Sequence, residues 1–249
     1  MSCPSSSFCE LVSDTGYAAR FNGHHWLVPV PADPASALVA LSCASSSFCV
    51  ALDAKGRSVE FNGRTWSHPV TVAAGVVAIS CPTSLFCMAV DRAGHVYSYN
   101  GHKWQAAGSD GNAGGWSYVS CTSTTFCAEV TSATKRIPSE DTAVTYDGKD
   151  WSSPHVFDSN YNGVLGVSCS SRTFCAALDS ENGGAQINAY FYNGTSWRGG
   201  PAVTPAPQSR RLGVTGATVA AQRPNAISCS SRSFCFYVDG SVYNGSKWS

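Results

Sequence analysis

Residues 76–104 read VVAISCPTSLFCMAVDRAGHVYSYNGHKW, a stretch that predicts four short β-strands joined by turns. Apolar runs over 76–80 and 86–90 flank a Pro-Thr-Ser turn, and a third run over 96–99 is rich in Val and Tyr. That run leads into Asn100-Gly101, the strongest short-range hairpin signal, and a tryptophan three residues later opens a fourth run. No segment has a sustained helical period. We name the four predicted strands A, B, C and D in chain order.

This repeat occurs six times in the 249 residues. Each copy has two cysteines separated by five residues, with phenylalanine before the second one, and the pairs are Cys3/Cys9, Cys43/Cys49, Cys81/Cys87, Cys121/Cys127, Cys169/Cys175 and Cys229/Cys235. Each copy also has a hairpin signal, at Asn22-Gly23, Asn62-Gly63, Asn100-Gly101, Asp147-Gly148, Asn193-Gly194 and Asn244-Gly245. A tryptophan lies three residues after every one of these glycines. Such regularity indicates an array of one supersecondary unit.

Four antiparallel strands in each of six repeats predict an all-β fold, a six-bladed β-propeller that forms a single domain over residues 1–249. One blade cannot bury both of its faces, whereas stacked blades can, with the repeated aromatic residues between them. An open β-solenoid and a pair of three-repeat barrels are the alternatives. The expected repeats span approximately residues 1–30, 31–70, 71–107, 108–153, 154–200 and 201–249.

The paired cysteines predict one disulfide within each repeat. They flank the A–B turn, where two residues six positions apart can face each other across a hairpin at a distance that a disulfide spans. Zinc is the alternative, but zinc sites group two closely spaced pairs in one place, and here the pairs are spread along the chain. We therefore expect six disulfides, no metal site and no cofactor.

Several stretches resemble the repeats of secreted actinobacterial β-propeller proteins. The resemblance rests on CPSSSFCELVSD (3–14), CASSSFCVALDAKG (43–56) and CPTSLFCMAVDRAG (81–94), and on the turns FNGRTW, YNGHKW and YNGTSW. It extends over nearly the whole chain and implies a propeller and a secreted setting in filamentous bacteria. It implies no single activity, because propellers serve as lectins, hydrolases, lyases and scaffolds. The Asn-Gly-x-x-Trp turn also looks like the Asp-box of sialidases, but it lacks the S-x-D-x-G form of that motif.

Composition narrows the classes of partner. The chain has 16 Lys plus Arg and 16 Asp plus Glu, so a net charge of zero argues against electrostatic binding to nucleic acid or anionic lipid. No apolar run approaches the roughly 18 residues of a membrane span. Twelve paired cysteines favour an oxidising compartment, so we expect a secreted protein whose mature sequence follows an added Met1, and a cytosolic protein with twelve reduced thiols is the alternative. We also expect a monomer.

The turns that vary in length all fall on one predicted face. In a propeller, the A–B and C–D turns lie on one face, and the B–C and D–A connections lie on the other. The A–B and C–D turns are uniform here, whereas extra sequence occurs in the other connections, at 108–116, 131–141, 154–163, 180–188 and 198–225. Long loops on a rigid scaffold are where function concentrates, so we expect the ligand site on this decorated face. Insertions that the fold merely tolerates are the alternative.

The candidate ligand-binding residues lie in these loops. The longest loop, 198–225, carries four arginines that could clamp a carboxylate or phosphate, or could simply face solvent, namely Arg198, Arg210, Arg211 and Arg223. Aromatic residues suited to stacking on sugar rings, or to covering the blade tops, are Trp116, Tyr118, Phe157 and Tyr161. Replacing Arg210 and Arg211 with alanine should weaken binding, whereas Arg64, on the opposite face, serves as the control.

An acidic residue recurs after strand B, at Asp14, Asp53, Asp91, Asp179 and Asp239, with Thr131 in the fourth repeat. A ring of carboxylates would bind cations or sugar hydroxyls, but Asp is also an ordinary turn residue before glycine, and we favour the turn. The six histidines share no metal-ligand spacing, and no G-x-S-x-G, H-E-x-x-H or phosphate loop occurs. The catalytic residues, if any, are unknown.

Three functions are compatible with the sequence. A lectin-like carbohydrate-binding propeller fits the neutral charge and the aromatic loops. A scaffold that docks another secreted protein through the same face would use Arg, Trp and Tyr as anchors. A hydrolase or lyase would assemble its site from distant loops, which a sequence motif would not reveal. We expect binding of a glycan or of a secreted protein rather than catalysis.

Overall fold

The computed structural model is all-β and has six blades, which confirms the six-bladed β-propeller prediction. It describes residues 1–249 except 112–114, 134–139, 160–162, 182–185, 204–224, 226 and 238–240. The blades fall into two compact units, Met1–Asp110 with three blades and Gly111–Ser249 with the other three. No helix long and apolar enough to cross a membrane is found in the described part of the chain.

The N-terminal unit consists of three antiparallel four-stranded sheets, each with its strands in chain order from A to D. The first blade contains β1 (Ser2–Ser5), β2 (Phe8–Val12), β3 (Tyr17–Phe21) and β4 (Val30–Pro31). The second blade contains β5 (Leu38–Ser45), β6 (Phe48–Asp53), β7 (Arg57–Phe61) and β8 (Val70–Thr71). The third blade contains β9 (Val76–Thr83), β10 (Phe86–Asp91), β11 (His95–Tyr99) and β12 (Trp104–Ser109).

The C-terminal unit repeats this arrangement, with longer B and C strands in its fourth and fifth blades. The fourth blade contains β13 (Ser117–Ser123), β14 (Phe126–Ala133), β15 (Glu140–Tyr146) and β16 (His155–Asp158). The fifth blade contains β17 (Val164–Ser171), β18 (Phe174–Glu181), β19 (Gln186–Tyr192) and β20 (Trp197–Gly199). The sixth blade has three described strands, β21 (Ile227–Ser231), β22 (Phe234–Tyr237) and β23 (Val242–Tyr243), and Trp248 adds an isolated bridge to Tyr243.

All six predicted disulfides form within their own repeats. In the second blade, Cys43 and Cys49 lie opposite each other in the A–B hairpin, with Cα atoms 3.9 Å apart. The hairpin turn is short, because Ser45 already pairs with Phe48. The repeated spacing therefore closes one cystine across the first hairpin of every blade, and such bridges indicate an oxidising environment.

The second cysteine of each pair lies on strand B and is a core residue in most blades. Its exposed fraction is 0% in five of the six blades, at Cys49, Cys87, Cys127, Cys175 and Cys235. Cys175 belongs to the hydrophobic cluster that the fourth and fifth blades share, and Cys235 belongs to the cluster of the fifth and sixth blades. These five cysteines are therefore structural, and a ligand at the surface cannot reach them, because neighbouring residues cover them completely.

The C–D turn differs from the two-residue turn that Asn-Gly suggests. In the second blade, Phe61 forms a bridge with Trp66, and the four residues between them make the turn. The Asn62 Oδ1 atom accepts hydrogen bonds from the backbone N–H groups of Arg64 and Thr65, each at 3.0 Å. The asparagine side chain therefore accepts backbone hydrogen bonds and stabilises a turn of four residues.

The hydrophobic core lies between consecutive blades. In the N-terminal unit, Phe48, Val50 and Leu52 of β6 pack against Ile79 and Tyr99 of the third blade. In the C-terminal unit, a corresponding cluster joins the B strand of the fifth blade to the first strands of the sixth. Alternate residues of strand B thus face one neighbour, as the period of a β-strand requires.

Candidate functional site

The turns of each blade divide into two sets. A Cβ atom added to Gly63, in a C–D turn, would lie 3.2 Å from the Ser47 Cβ atom in the A–B turn. A Cβ atom added to Gly56, in a B–C turn, would overlap the carbonyl oxygen of Ala73 in the D–A connection. The predicted grouping of turns is therefore confirmed within this blade, and the B–C and D–A connections form what we call the variable-loop face.

The variable-loop end of the second blade contains a neutralised acidic pair. The Arg57 guanidinium donates to the Oδ2 atoms of Asp33 and Asp53, each at 2.6 Å. The Asp53 Oδ1 atom also accepts the backbone N–H groups of Lys55 and Arg57. Burial alone would raise the pKa of Asp53, but these hydrogen bonds together bring that pKa below its ordinary value. Asp53 is thus a turn residue held by an arginine.

Asp91 of the third blade has the same turn role. Its Oδ1 atom accepts the backbone N–H groups of Ala93 and His95, at 2.8 and 2.9 Å. The His95 ring and the Tyr97 hydroxyl lie 2.9 and 3.2 Å from its Oδ2 atom. The turn explanation of the recurring acid is therefore confirmed at two blades, whereas Asp239 lies outside the described residues.

The fourth and fifth blades have a different arrangement, with three buried aspartates. Asp141 is the second residue of β15 and pairs in register with Asp158 of β16. Asp179 lies within β18 and pairs with Asn188, because the B and C strands of this blade continue past the position where the second blade turns. At the position of Arg57, the fifth blade therefore has an amide side chain.

Burial is the main influence on Asp141, whose side chain is fully buried. The pKa of Asp141 is raised to about 7, chiefly by loss of solvent and also by the charge of Asp158, while the Ser132 and Asp179 side chains act in the opposite direction. Asp141 consequently exchanges its proton near neutral pH. Among the described residues, no three Asp, Glu, His or Cys side chains are arranged to hold a metal ion.

Hydrogen bonds fix the strands around these acids. The Ser132 Oγ atom accepts the backbone N–H of Val164 at 2.7 Å, which joins the fourth blade to the fifth. The Tyr190 hydroxyl donates to the Asp158 Oδ2 atom at 2.9 Å, which joins the same two blades at another point. The polar groups therefore form a rigid base beneath the variable-loop face.

Polar side chains lie at the ends of the strands that emerge from this base. Gln186 is exposed at the start of β19, and its Nε2 atom donates to the Asn188 Oδ1 atom at 3.0 Å. Ser159 is exposed after β16, and Trp116 is partly exposed before β13. Amide, hydroxyl and indole groups of this kind bind hydroxyl-rich ligands.

The structure separates the predicted ligand-binding residues into three groups. Arg198 is exposed in β20, and Trp116 is partly buried against the core of the fourth and fifth blades. Tyr118 is buried in that core, because β13 begins before it, so its ring is a packing element. The remaining predicted residues lie outside the described part of the chain, namely Arg210, Arg211, Arg223 and Tyr161.

Phe157 of the fourth blade packs against aromatic side chains of the fifth blade. Its ring lies 4.8 Å from the ring of Tyr190 and 5.9 Å from that of Trp197, between centroids. The aromatic residues predicted as stacking platforms therefore contribute chiefly to packing where they are described. The polar residues Gln186 and Asn188 were missed as ligand candidates, although they lie in the predicted loop 180–188.

The buried acids Asp141 and Asp158 were also missed, because their proximity depends on strand pairing.

A contact between consecutive blades could have been predicted from the sequence, since a serine precedes the first cysteine in all six repeats. The structure shows that such serines connect consecutive blades: Ser42 Oγ accepts the backbone N–H of Cys81 at 2.9 Å, and Ser168 Oγ accepts that of Cys229 at 2.9 Å.

Comparison with known proteins supports the fold. The chain matches no protein-family profile and no curated protein. It is similar to the structure of YCF48 bound to D1 peptide, with a TM-score of 0.62 and 13% identity over 99% of this chain and 78% of that one. It is also similar to the structure of U3-55K, with a TM-score of 0.65 and 9% identity over 97% of this chain and 74% of that one.

The crystal structure of RRP9 WD40 repeats is a third similar structure, with a TM-score of 0.65 and 10% identity over 97% of this chain and 73% of that one. At these identities the likeness shows the fold alone. The fold is therefore a β-propeller.

Proposed function

We propose that this chain is a secreted, lectin-like carbohydrate-binding propeller whose ligand lies on the variable-loop face of the fourth and fifth blades. The observation that carries the proposal is the polar end of these strands: exposed Gln186 donates to Asn188, the partner of buried Asp179, and exposed Ser159 follows buried Asp158. Amide and hydroxyl groups donate to and accept from sugar hydroxyls, and a partly exposed Trp116 offers one ring face.

Three further observations support the proposal. The zero net charge suits a neutral ligand, and the six disulfides suit an extracellular location. The resemblance of the repeats to secreted actinobacterial propellers points to the same setting. Catalysis is not proposed, because Asp141 and Asp179 are fully buried and cannot touch a substrate in this conformation.

A glycan array of neutral oligosaccharides, followed by calorimetry on a positive glycan, tests the proposal. We expect Gln186→Ala combined with Asn188→Ala to weaken binding roughly thirtyfold, since each lost hydrogen bond contributes about 1 kcal/mol. Gln105→Ala is the matched control, because Gln105 is exposed on β12 and donates to Ser98 as Gln186 does to Asn188. An array without hits, or equal effects of both changes, would contradict carbohydrate binding at this site.

Docking of another secreted protein is the second candidate. It is favoured by Arg198, which is exposed on β20, the edge strand of its sheet. An exposed edge beside a guanidinium can accept an extended acidic peptide. Arg210, Arg211 and Arg223 remain predicted contributors from the same loop.

An array of acidic peptides tests this second candidate. Arg198→Ala and the double change of Arg210 and Arg211 to alanine should each reduce the signal, whereas Arg64→Ala in the opposite turn should leave it unchanged. Retention of the signal in all loop variants would exclude these arginines as anchors.

A further inference from the structure

The A–B and C–D turns of the fifth and sixth blades lie side by side. A Cβ atom added to Gly194, in the C–D turn of the fifth blade, would lie 3.1 Å from the Thr173 Cγ2 atom in the A–B turn of that blade. One added to Gly245 would lie 3.1 Å from the Ser233 Cβ atom of the sixth blade. We call the surface that these two turns form in each blade the uniform-turn face, because their lengths are the same in all six repeats.

The middle of the A–B turn is an arginine in these two blades. The turns read SRT at 171–173 and SRS at 231–233, and both arginines are exposed. The C–D turns of the same two blades add Lys247 and contain no acidic residue. The turns are therefore cationic, although the whole chain has no net charge. The other four blades have a hydroxyl residue at the middle position, namely Ser6, Ser46, Ser84 and Thr124.

Arg232 connects the fifth and sixth blades across this face. Its Nη2 atom donates to the backbone carbonyl oxygen of Thr173 at 2.9 Å, and its Cζ atom lies 5.9 Å from the ring centroid of Phe174. Thr173 follows Arg172 directly in the chain, so the Arg232 guanidinium lies beside the turn that carries the other arginine. The contact holds Arg232 through one N–H group, and a guanidinium has five.

Side-chain hydroxyls flank each arginine. The Ser171 Oγ and Thr173 Oγ1 atoms are 3.3 Å apart, and the Oγ atoms of Ser231 and Ser233 are 3.3 Å apart. A hydrogen bond between two hydroxyl groups uses only one of their protons, so each pair retains a donor as well as acceptor lone pairs. Each A–B turn thus presents a hydroxyl, a cation and a hydroxyl in succession.

We propose that the uniform-turn face of the fifth and sixth blades binds an acidic polysaccharide built from uronic acids. Each sugar of such a polymer carries a carboxylate beside hydroxyl groups, which matches the succession of cation and hydroxyls in the turns. Arg172 and Arg232 donate to the carboxylates, for which the planar guanidinium is well suited, and the serine and threonine hydroxyls bind those of the sugar. Two arginines on adjacent blades give the polymer two points of attachment, which strengthens binding.

The cationic surface does not extend onto the fourth blade. The C–D turn of that blade carries Lys149, but the Lys149 Nζ atom lies 3.4 Å from the Asp150 Oδ2 atom, and Asp147 adds a second negative charge to the same turn. The charge of this lysine is therefore neutralised within its own turn. All contacts that carry the proposal lie within the C-terminal unit.

Calorimetric titration of the full chain with oligogalacturonates tests the proposal. We expect Arg172→Ser and Arg232→Ser each to weaken binding roughly tenfold, because each removes a charge-assisted hydrogen bond. Serine is the residue that the first three blades have at this position, so the fold accepts it. Lys149→Ser is the matched control and should leave the affinity unchanged. Added salt should weaken wild-type binding, since the arginine charges are exposed.

The choice of probe decides between the outcomes. A neutral galactan should not bind this face, and polyphosphate, which lacks hydroxyl groups, should bind more weakly than oligogalacturonate. Polyphosphate that binds as tightly would overturn the assignment to a uronic acid polymer. A wild-type chain that does not bind oligogalacturonate, or an affinity unchanged when both arginines are replaced by serine, would overturn the site.

This site goes beyond the proposed ligand site, because it lies at the opposite ends of the strands and takes an acidic rather than a neutral glycan. Gln186→Ala combined with Asn188→Ala should leave oligogalacturonate binding unchanged, and Arg172→Ser should leave binding of a neutral glycan unchanged. Failure of one site is therefore distinguishable from failure of the other.

Discussion

The hydroxyl oxygen of Ser42 accepts a hydrogen bond of 2.9 Å from the backbone N–H of Cys81, and so joins the second blade to the third beside their disulfides. Cys81 is buried, so its N–H group has no access to solvent when the two blades are packed. The same contact recurs from Ser2 to Cys43 and from Ser120 to Cys169. Together with the Ser168–Cys229 bond, one serine therefore joins each blade to the next one within the N-terminal and C-terminal units.

Ser42→Ala should lower the free energy of unfolding by about 1–2 kcal/mol, because it leaves a buried N–H donor without an acceptor. Chemical denaturation with tryptophan fluorescence measures the loss. Ser84→Ala is the matched control in the exposed A–B turn of the third blade and should change little. Equal losses for the two variants would show that the serine contact does not stabilise the blade junction.

Removal of one disulfide should also destabilise the fold. Changing both Cys81 and Cys87 to alanine should cost about 2 kcal/mol from chain entropy, plus the loss of buried packing. The same change at Cys3 and Cys9 opens a loop of equal length, but Cys3 is exposed, so the cost should be smaller. Denaturant midpoints compare the two pairs, and identical losses would show that packing of the cystine contributes nothing.

The blades could be predicted from the repeats, because the cysteine spacing and the turn residues act between positions that are close in the sequence. Cys43 and Cys49 meet across one hairpin, so their spacing alone brings them together. The location of the C–D turn was also predictable, but the use of the Asn62 side chain as a double acceptor was not, since Asn-Gly fits turns of two lengths. Local sequence therefore determines where a turn occurs more firmly than its hydrogen bonds.

The candidate site was less predictable, because its residues come together through strand pairing and blade packing. Asp141 and Asp158 lie 17 positions apart and meet only through the register of β15 and β16. Tyr118 was predicted as a loop residue, but β13 begins one residue earlier and carries it into the core. Strand ends next to long loops are the positions where periodicity gives the weakest guidance.

The Arg57 contact predicts a pH-dependent loss of stability. Arg57→Met leaves buried Asp33 and Asp53 without their shared cation, so the unfolding midpoint at pH 7 should fall. The pKa of Asp53 is below its ordinary value of 3.8 in the folded chain. The stability that its ionised carboxylate contributes is therefore present above pH 3.8 and is lost as pH falls through the folded-state pKa. The loss should therefore shrink at about pH 3.

Urea denaturation at both pH values measures this difference. Arg64→Met is the control, because Arg64 is exposed in a C–D turn. Adding Asp53→Asn to Arg57→Met should recover part of the stability at pH 7, since Asn keeps an oxygen for the backbone N–H groups of the turn. An equal loss at both pH values would show that the guanidinium acts through packing and not through charge.

Asp141 should give stability the opposite dependence on pH. Its pKa is about 7 in the folded chain against an ordinary value of 3.8, chiefly because its carboxyl is buried. Between these values the unfolded chain has released the proton that the folded chain still holds, so the free energy of unfolding decreases as pH rises. The interval from 3.8 to about 7 corresponds to about 4 kcal/mol.

Asp141→Asn removes this titration while keeping the size of the side chain. The variant should match the wild type at about pH 4 and exceed its stability at about pH 8, because the wild type must there ionise a buried carboxyl beside Asp158. Asp150→Asn is the control in the same blade, where the carboxyl is exposed in the C–D turn, and it should show no such crossover. Thermal melts across this pH range measure the difference. A variant less stable than the wild type at pH 8 would mean that Asp141 is ionised and compensated in the folded chain.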